Sequence, residues 1–221
     1  MSASAPIVLW DIDGTLLAAE EHGLDLFYEA IGDIVPGASV SSVNPHGKTD
    51  WQILGELLDA SGLDRRFAPA ISEKLDILSQ RLVTPPHTLR LLDGAAAMLQ
   101  ALKARRVRNG LLTGNSPTRA RHKLKGAGLD LSLIDWQACY FGGRASARSD
   151  ICLEARAANP LTGLHVFGDT PNDHAAASAA DIPFVAVCTG VYNRNAFADK
   201  KCRLIVDDLI SGREAILGLF R

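Results

Sequence analysis

From Gly94 onward, short apolar runs alternate with stretches of helical periodicity, and this alternation constrains the fold of the 221-residue chain more than any other feature. The spacing predicts helices over 95–105, 117–126, 151–158, 171–180 and 211–220, and strands over 108–113, 138–141, 164–167, 184–187 and 204–206. Strands that alternate with helices pair in parallel through right-handed crossovers, which gives an α/β fold: a Rossmann-like parallel sheet with helices on both faces. The apolar run Ile7 to Trp10 supplies one more strand near the N-terminus. Between Leu17 and Leu92 no strand pattern occurs. Helical spacing appears instead: Ala18 to about Ile34, a helix carrying Trp51, Ile53, Leu54, Leu57 and Leu58 behind a Thr49 or Asp50 cap, and a helix from about Pro69 to Leu82 stopped by Pro85-Pro86-His87. The chain is therefore expected to divide into a core, 1–16 with 93–221, and an inserted all-helical cap domain, 17–92.

Polar clusters sit at three strand ends. The first is Asp11-Ile12-Asp13-Gly14-Thr15, where carboxylates two positions apart leave the strand on the same side and Gly14 permits a sharp turn. The second is Thr113-Gly114-Asn115, and the third is Gly168-Asp169-Thr170-Pro171-Asn172-Asp173. In an open parallel sheet, ligands bind beyond the carboxyl ends of the strands, so these clusters converge, and the helical insertion after the first cluster is placed to cover them as a lid. Grouped carboxylates bind a hard cation, share a proton or attack an electrophile.

Asp11-Ile12-Asp13-Gly14-Thr15-Leu16 resembles the first motif of the haloacid dehalogenase superfamily, most of whose members are magnesium-dependent phosphohydrolases. Leu111 to Asn115 is similar to the second motif, and Gly168 to Asp173 to the fourth. Together with the helical insertion, this resembles the phosphoglycolate phosphatase-like branch, and Gly47-Lys48-Thr49-Asp50 is similar to a cap segment of that branch. The resemblance implies Asp11 as nucleophile and Asp13 as general acid and base, with Thr113 meeting a phosphoryl oxygen. It implies a Mg²⁺ site made from Asp11, Asp13 (through its backbone carbonyl), Asp169 and, less directly, Asp173. Thr15, Gly114 and Asn115 are expected to contact the phosphoryl group, and Lys48 the organic part of a small phosphorylated metabolite.

The third motif departs from the family pattern. Gly142 to Asp150 contains no Lys, so Arg148 or Arg144 is expected to supply the missing cation. Lys123 is a further candidate, but it belongs to the basic run Arg119, Arg121, His122, Lys123, Lys125, which reads as a solvated helix face. Arg keeps the charge of Lys but presents a planar fork in place of a point charge.

Composition narrows the function classes. Hydrophobic residues make up 47% and charged residues 22%, ordinary for a globular protein, and a net charge of -2 leaves no electrostatic footprint for nucleic acid. The N-terminal residues carry no positive region ahead of an uninterrupted apolar stretch, so neither a signal peptide nor a membrane anchor is expected. Cys139, Cys152, Cys188 and Cys202 lack paired spacing and read as reduced thiols of a cytoplasmic protein without a zinc site. Monomer and homodimer both remain open. The resulting expectation is a phosphomonoesterase working through an aspartyl phosphate, against three rivals: a phosphomutase, a dehalogenase, and a binding protein that kept the fold without turnover. Dehalogenation needs neither a proton donor nor a magnesium cage, so Asp13 and the Asp169/Asp173 pair favour phosphate.

Overall fold

The computed structural model describes residues 5–18, 24–84 and 89–220. The expected stop at Pro85-Pro86-His87, residues 19–23 of the first expected cap helix, and most of the N-terminal segment lie outside them; Ala18, the expected start of that helix, is not helical, and the described helix begins at Asp25. Six strands form one sheet: β1 (Ile7–Trp10), β2 (Arg108–Thr113), β3 (Tyr140–Phe141), β4 (Leu164–Gly168), β5 (Phe184–Val187) and β6 (Leu204–Val206). Their order is β3-β2-β1-β4-β5-β6 and every pair is parallel. From β1 the chain winds outward through β2 and β3, then crosses back to start again at β4 on the other side of β1. That reversal opens a crevice at the carboxyl end of β1, the usual ligand position in such sheets.

Eight helices are described: α1 (Asp25–Ile34), α2 (Asp50–Ala60), α3 (Ala68–Leu78), α4 (Ala95–Ala104), α5 (Pro117–Gly126), α6 (Arg148–Ala158), α7 (Pro171–Ala179) and α8 (Arg213–Gly218). Side-chain alternation along β1 divides the core in two. Val8 and Trp10 face a layer formed with Met98 and Leu99 of α4, Leu124 of α5 and Ile216 of α8. Ile7 and Leu9 face the opposite layer, with Ile151 of α6 and Ala177 of α7. Both faces of β1 are wholly buried, which is why it reads as an unbroken apolar run.

Helices α1 to α3 fold around an apolar cluster of their own, including Phe27, Ile31, Leu54, Leu57, Ile71 and Leu75. The periodicity that marked these segments is the stripe each helix turns to the others. Thr49 is the cap of α2, accepting from the Gln52 amide at 3.0 Å, and Asp50 is the first helical residue. The third helix is shorter than expected, ending at Leu78 and continuing as a 3₁₀ segment through Ser79–Val83. Where the chain leaves and re-enters the core, its two connections run side by side. Leu17 and Leu91 form an antiparallel bridge, with Ala18 N donating to Arg90 O and Leu92 N to Leu16 O, each at 2.9 Å.

Candidate active site

At the end of β1 the backbone turns over Ile12, whose carbonyl accepts from the Leu16 and Leu17 amides at 2.9 Å each. Gly14 takes a φ of 85°, a conformation that strains any L side chain, and a Cβ there would collide with the Asp169 carboxylate. The turn therefore brings the ends of β1 and β4 into contact. At the end of β4, Thr170 and Asp173 form a reciprocal cap of α7: Thr170 Oγ1 accepts from the Asp173 amide at 3.1 Å, and Asp173 Oδ2 accepts from the Thr170 amide at 3.0 Å. Asp11, Asp169 and Asp173 thereby present carboxylate oxygens within 4.8 Å of one another.

A cavity of about 90 Å³ lies over this cluster, between the core and the helical unit. Asp11, Asp13, Thr113, Gly114, Lys123 and Arg148 border it from the core side, and Phe27, His46, Lys48 and Ile53 from the helical unit. Such a volume is far below that of a drug-sized pocket and suits a small ligand.

Arg148 is the cation nearest the expected nucleophile. Its guanidinium donates to Asp11 Oδ1 and, at 3.0 Å, to the Leu112 carbonyl, and its Nε lies 2.5 Å from Asp173 Oδ1. Helix α6 begins at Arg148, three residues earlier than the periodicity indicated, because Ala147 as cap offers no side-chain signal; Asp150 reaches back to the Ala147 amide at 3.0 Å instead. Arg144 does not border the cavity.

Lys123 requires a correction. It does not lie on a solvated face: it is 4% exposed, and its Nζ meets both Asp13 oxygens at 2.8 Å. Arg119, from the same basic run, is also buried and sits 2.6 Å from Asp50 Oδ1. Positions 119 and 123 are one helical turn apart and share a face with Ala120 and Leu124, whereas Arg121 and Lys125 face solvent. The i, i+4 spacing was the available signal, and the uniform charge of the run concealed it.

The remaining expected residues divide. Thr113 and Gly114 border the cavity, as does Lys48, whose Nζ is held by Glu56 Oε2 at 2.5 Å. The Thr15 hydroxyl donates to Asp169 Oδ1 at 3.3 Å, and the Asn115 amide donates to Asp50 Oδ1 at 3.2 Å. Neither Thr15 nor Asn115 borders the cavity. Asp50 carried no expectation beyond capping, yet it is the hub joining the helical unit to the core: it also accepts from the Ser116 amide at 2.9 Å.

The electrostatics follow from crowding. Burial, with the charges of Asp173 and Asp13, pushes the Asp11 carboxyl up to about 7 against the opposing pull of Arg148. Burial and the neighbouring Asp173 and Asp11 raise Asp169 well above the usual carboxylate range. Burial works against the Arg148 charge, but Asp11 and Asp173 overcome it and raise that group further. Asp11 pairs with Arg148, Asp13 with Lys123 and Asp50 with Arg119, whereas Asp169 has no ion pair of its own among the described residues: it accepts from the Thr15 hydroxyl and a backbone amide and feels Arg148 only at a distance. A set of hard oxygens with one carboxylate lacking a counter-charge fits a divalent cation such as Mg²⁺.

Comparisons with known proteins bear on the fold and the family. The chain is 27% identical over 215 residues to the phosphoglycolate phosphatase of Rhodospirillum rubrum, covering 92% of this chain and 88% of that protein. Its fold matches a hydrolase from Pseudomonas syringae with a TM-score of 0.71 at 20% identity, over 96% of this chain and 99% of that one. It also matches CbbY from Rhodobacter sphaeroides, solved in complex with phosphate, with a TM-score of 0.66 at 16% identity, over 94% and 96% of the two chains. A family model of hydrolases spans residues 6–181, from the strand that delivers Asp11 through the helix that begins behind Asp169, and the chain belongs to that family, the haloacid dehalogenase-like hydrolases.

Proposed function

We propose that the protein is a magnesium-dependent phosphomonoesterase acting on a small phosphorylated metabolite, with 17–92 serving as the cap over a core of 1–16 and 93–221. The observation that carries this reading is the pairing of two carboxylates, two positions apart in sequence, with separate buried cations: Asp11 with Arg148 and Asp13 with Lys123. A forked guanidinium holds the one and a compact ammonium the other, so the two carboxylates are oriented independently.

Asp11 attacks phosphorus in line, forming an aspartyl phosphate as the bond to the alcohol oxygen breaks. Arg148, anchored on the Leu112 carbonyl, aims the carboxylate and offsets charge gathering on the phosphoryl oxygens. Asp13 delivers a proton to the departing alcohol and then takes one from the water that cleaves the intermediate, which returns Asp11 as a free carboxylate. In the resting site Lys123 holds Asp13. An incoming phosphoryl group competes for that ammonium and leaves an Asp13 oxygen for the leaving group. Asp11, Asp169 and Asp173, with the Asp13 backbone carbonyl, would hold the magnesium ion, which when bound supplies Lewis-acid neutralisation of a phosphoryl oxygen. Thr113, at the cavity wall, is placed to donate to the same group.

The test is release of inorganic phosphate from para-nitrophenyl phosphate with and without magnesium, with Asp11→Asn as control. Turnover that needs magnesium and vanishes in Asp11→Asn supports the reading. Wild-type rates in Asp11→Asn, or full activity in excess chelator, would remove it.

A further inference from the structure

The proposed chemistry uses Arg148 and Lys123 but leaves a third buried cation unemployed. Arg119 is 2% exposed, borders the same cavity, and stands in the first turn of α5 just beyond Thr113 and Gly114. Its guanidinium carbon lies 5.0 Å from the centre of the Phe27 ring, so its plane is steadied by an aromatic surface from the helical unit. A guanidinium carries five N–H donors. Its one carboxylate neighbour, Asp50, already accepts from the Asn115 side chain and the Ser116 amide. The 2.6 Å approach of Arg119 Nη1 to Asp50 Oδ1 is off line for a hydrogen bond, and both Nη1 and Nε are buried without an acceptor. Arg148 also has its Nε off line, at 2.5 Å from Asp173 Oδ1, but it makes hydrogen bonds to Asp11 and to the Leu112 carbonyl, whereas both Arg119 nitrogens named here are without one. Buried donors left unsatisfied are uncommon in native proteins and costly, and a ligand is one of the few things that reconciles them.

We propose that Arg119 is a specificity residue: it binds a second anionic group of the substrate, so that the preferred substrates are short phosphomonoesters carrying a carboxylate or another phosphate near the ester. The inference rests on the phosphomonoesterase reading for the position of the first phosphoryl group, at Asp11. Cavity size sets the reach: about 90 Å³ accommodates a short linker between the two anions and not an extended one. Asp50, 2.6 Å from Nη1, holds Arg119 in place and leaves its Nε without an acceptor. The planar fork suits a carboxylate or phosphate with two parallel N–H bonds, which Lys48, a point charge already committed to Glu56, does not offer.

The test measures binding, so that it stands apart from turnover. Affinities for phosphoglycolate, for its uncharged-ended counterpart ethyl phosphate, and for ethylene glycol bisphosphate are measured calorimetrically with magnesium, in the Asp11→Asn protein, which holds substrate without consuming it. The expected result is a preference for phosphoglycolate over ethyl phosphate that falls by about tenfold or more in Arg119→Met and is partly restored in Arg119→Lys, the scale of a charge-assisted hydrogen-bond pair. Ethylene glycol bisphosphate, with a two-carbon linker, separates a carboxylate from a second phosphate as the group that is read. Should Arg119→Met fold poorly because Asp50 is left alone, Asp50→Asn/Arg119→Gln removes both charges together, and the same loss of preference is expected. No preference in the parent protein, or an unchanged preference in these variants, overturns the role of Arg119. Failure of the wild type to hydrolyse any of the three compounds would strike the phosphomonoesterase reading alone, since the binding comparison is read separately.

Discussion

At the scale of single residues, the site is a set of carboxylates with unequal counter-charge: Asp11 and Asp173 share Arg148, Asp13 has Lys123, and Asp169 has none of its own among the described residues. Asp11 and Asp13 differ by one intervening residue in sequence, yet one is locked to a forked guanidinium and the other to an ammonium. The distinction matters because Arg148 contacts Asp11, Asp173 and the Leu112 carbonyl at once, a pattern a point charge cannot reproduce. Arg148→Lys should therefore keep the protein folded but lower kcat for para-nitrophenyl phosphate by about tenfold to a thousandfold, the range seen when a preorganised donor is lost. Lys123→Met should leave Asp13 without its ammonium and lower kcat more for an alkyl phosphate, whose leaving oxygen needs a proton, than for para-nitrophenyl phosphate, a difference absent if Lys123 merely fills space. Sequence spacing revealed the carboxylates because the turn after β1 demands a glycine at a fixed offset. Their partners were harder to read, since Arg119 and Lys123 are hidden in a run of like charges and only burial separates them from Arg121 and Lys125.

Among the elements, α5 carries the most. Its first turn supplies Arg119, its middle Lys123, and its outer side meets α3 and the 3₁₀ segment after it through Ser116 with Asp76 and His122 with Ser79. Its last residue, Gly126, packs so closely that an added Cβ would overlap the Leu82 carbonyl. Gly to Ala inside a helix normally stabilises by up to about 1 kcal/mol, whereas forcing extra volume into a tight contact costs about 1–3 kcal/mol. Gly126→Ala should accordingly lower the melting temperature, and a rise would show that the contact with Leu82 yields easily. The bounds of α5 and β2 were legible to the residue, because Pro117 starts the helix and an apolar strand ends at Thr113. Those of α6 were not, since a helix capped by Ala147 carries no side-chain announcement. The strand β3 is only two residues long, too short for alternation to show.

Across the whole molecule, the carboxylate cluster sets how stability responds to pH. Asp11 is raised to about 7 and Asp169 also well above its ordinary value, so between the unfolded and folded values the folded protein binds more protons than the unfolded chain. Stability without metal should then be greatest at the acid side of that window and fall as pH rises toward neutrality. A divalent cation in the cluster reverses the penalty, so the magnesium-induced rise in melting temperature should be larger near about pH 8 than near about pH 5, as scanning calorimetry would record. An equal shift at both would place the ion elsewhere. No helix of the described residues is long and apolar enough to cross a membrane.

The paired connections at Leu17 and Leu91 have a mechanical consequence. A unit tethered by one strand swivels freely, whereas one carried on two adjoining rails bends about a single axis and resists torsion. Were the helical unit to lift from the core, the two joined rails would confine it to one arc, and a ligand would meet Phe27 and His46 from one side only.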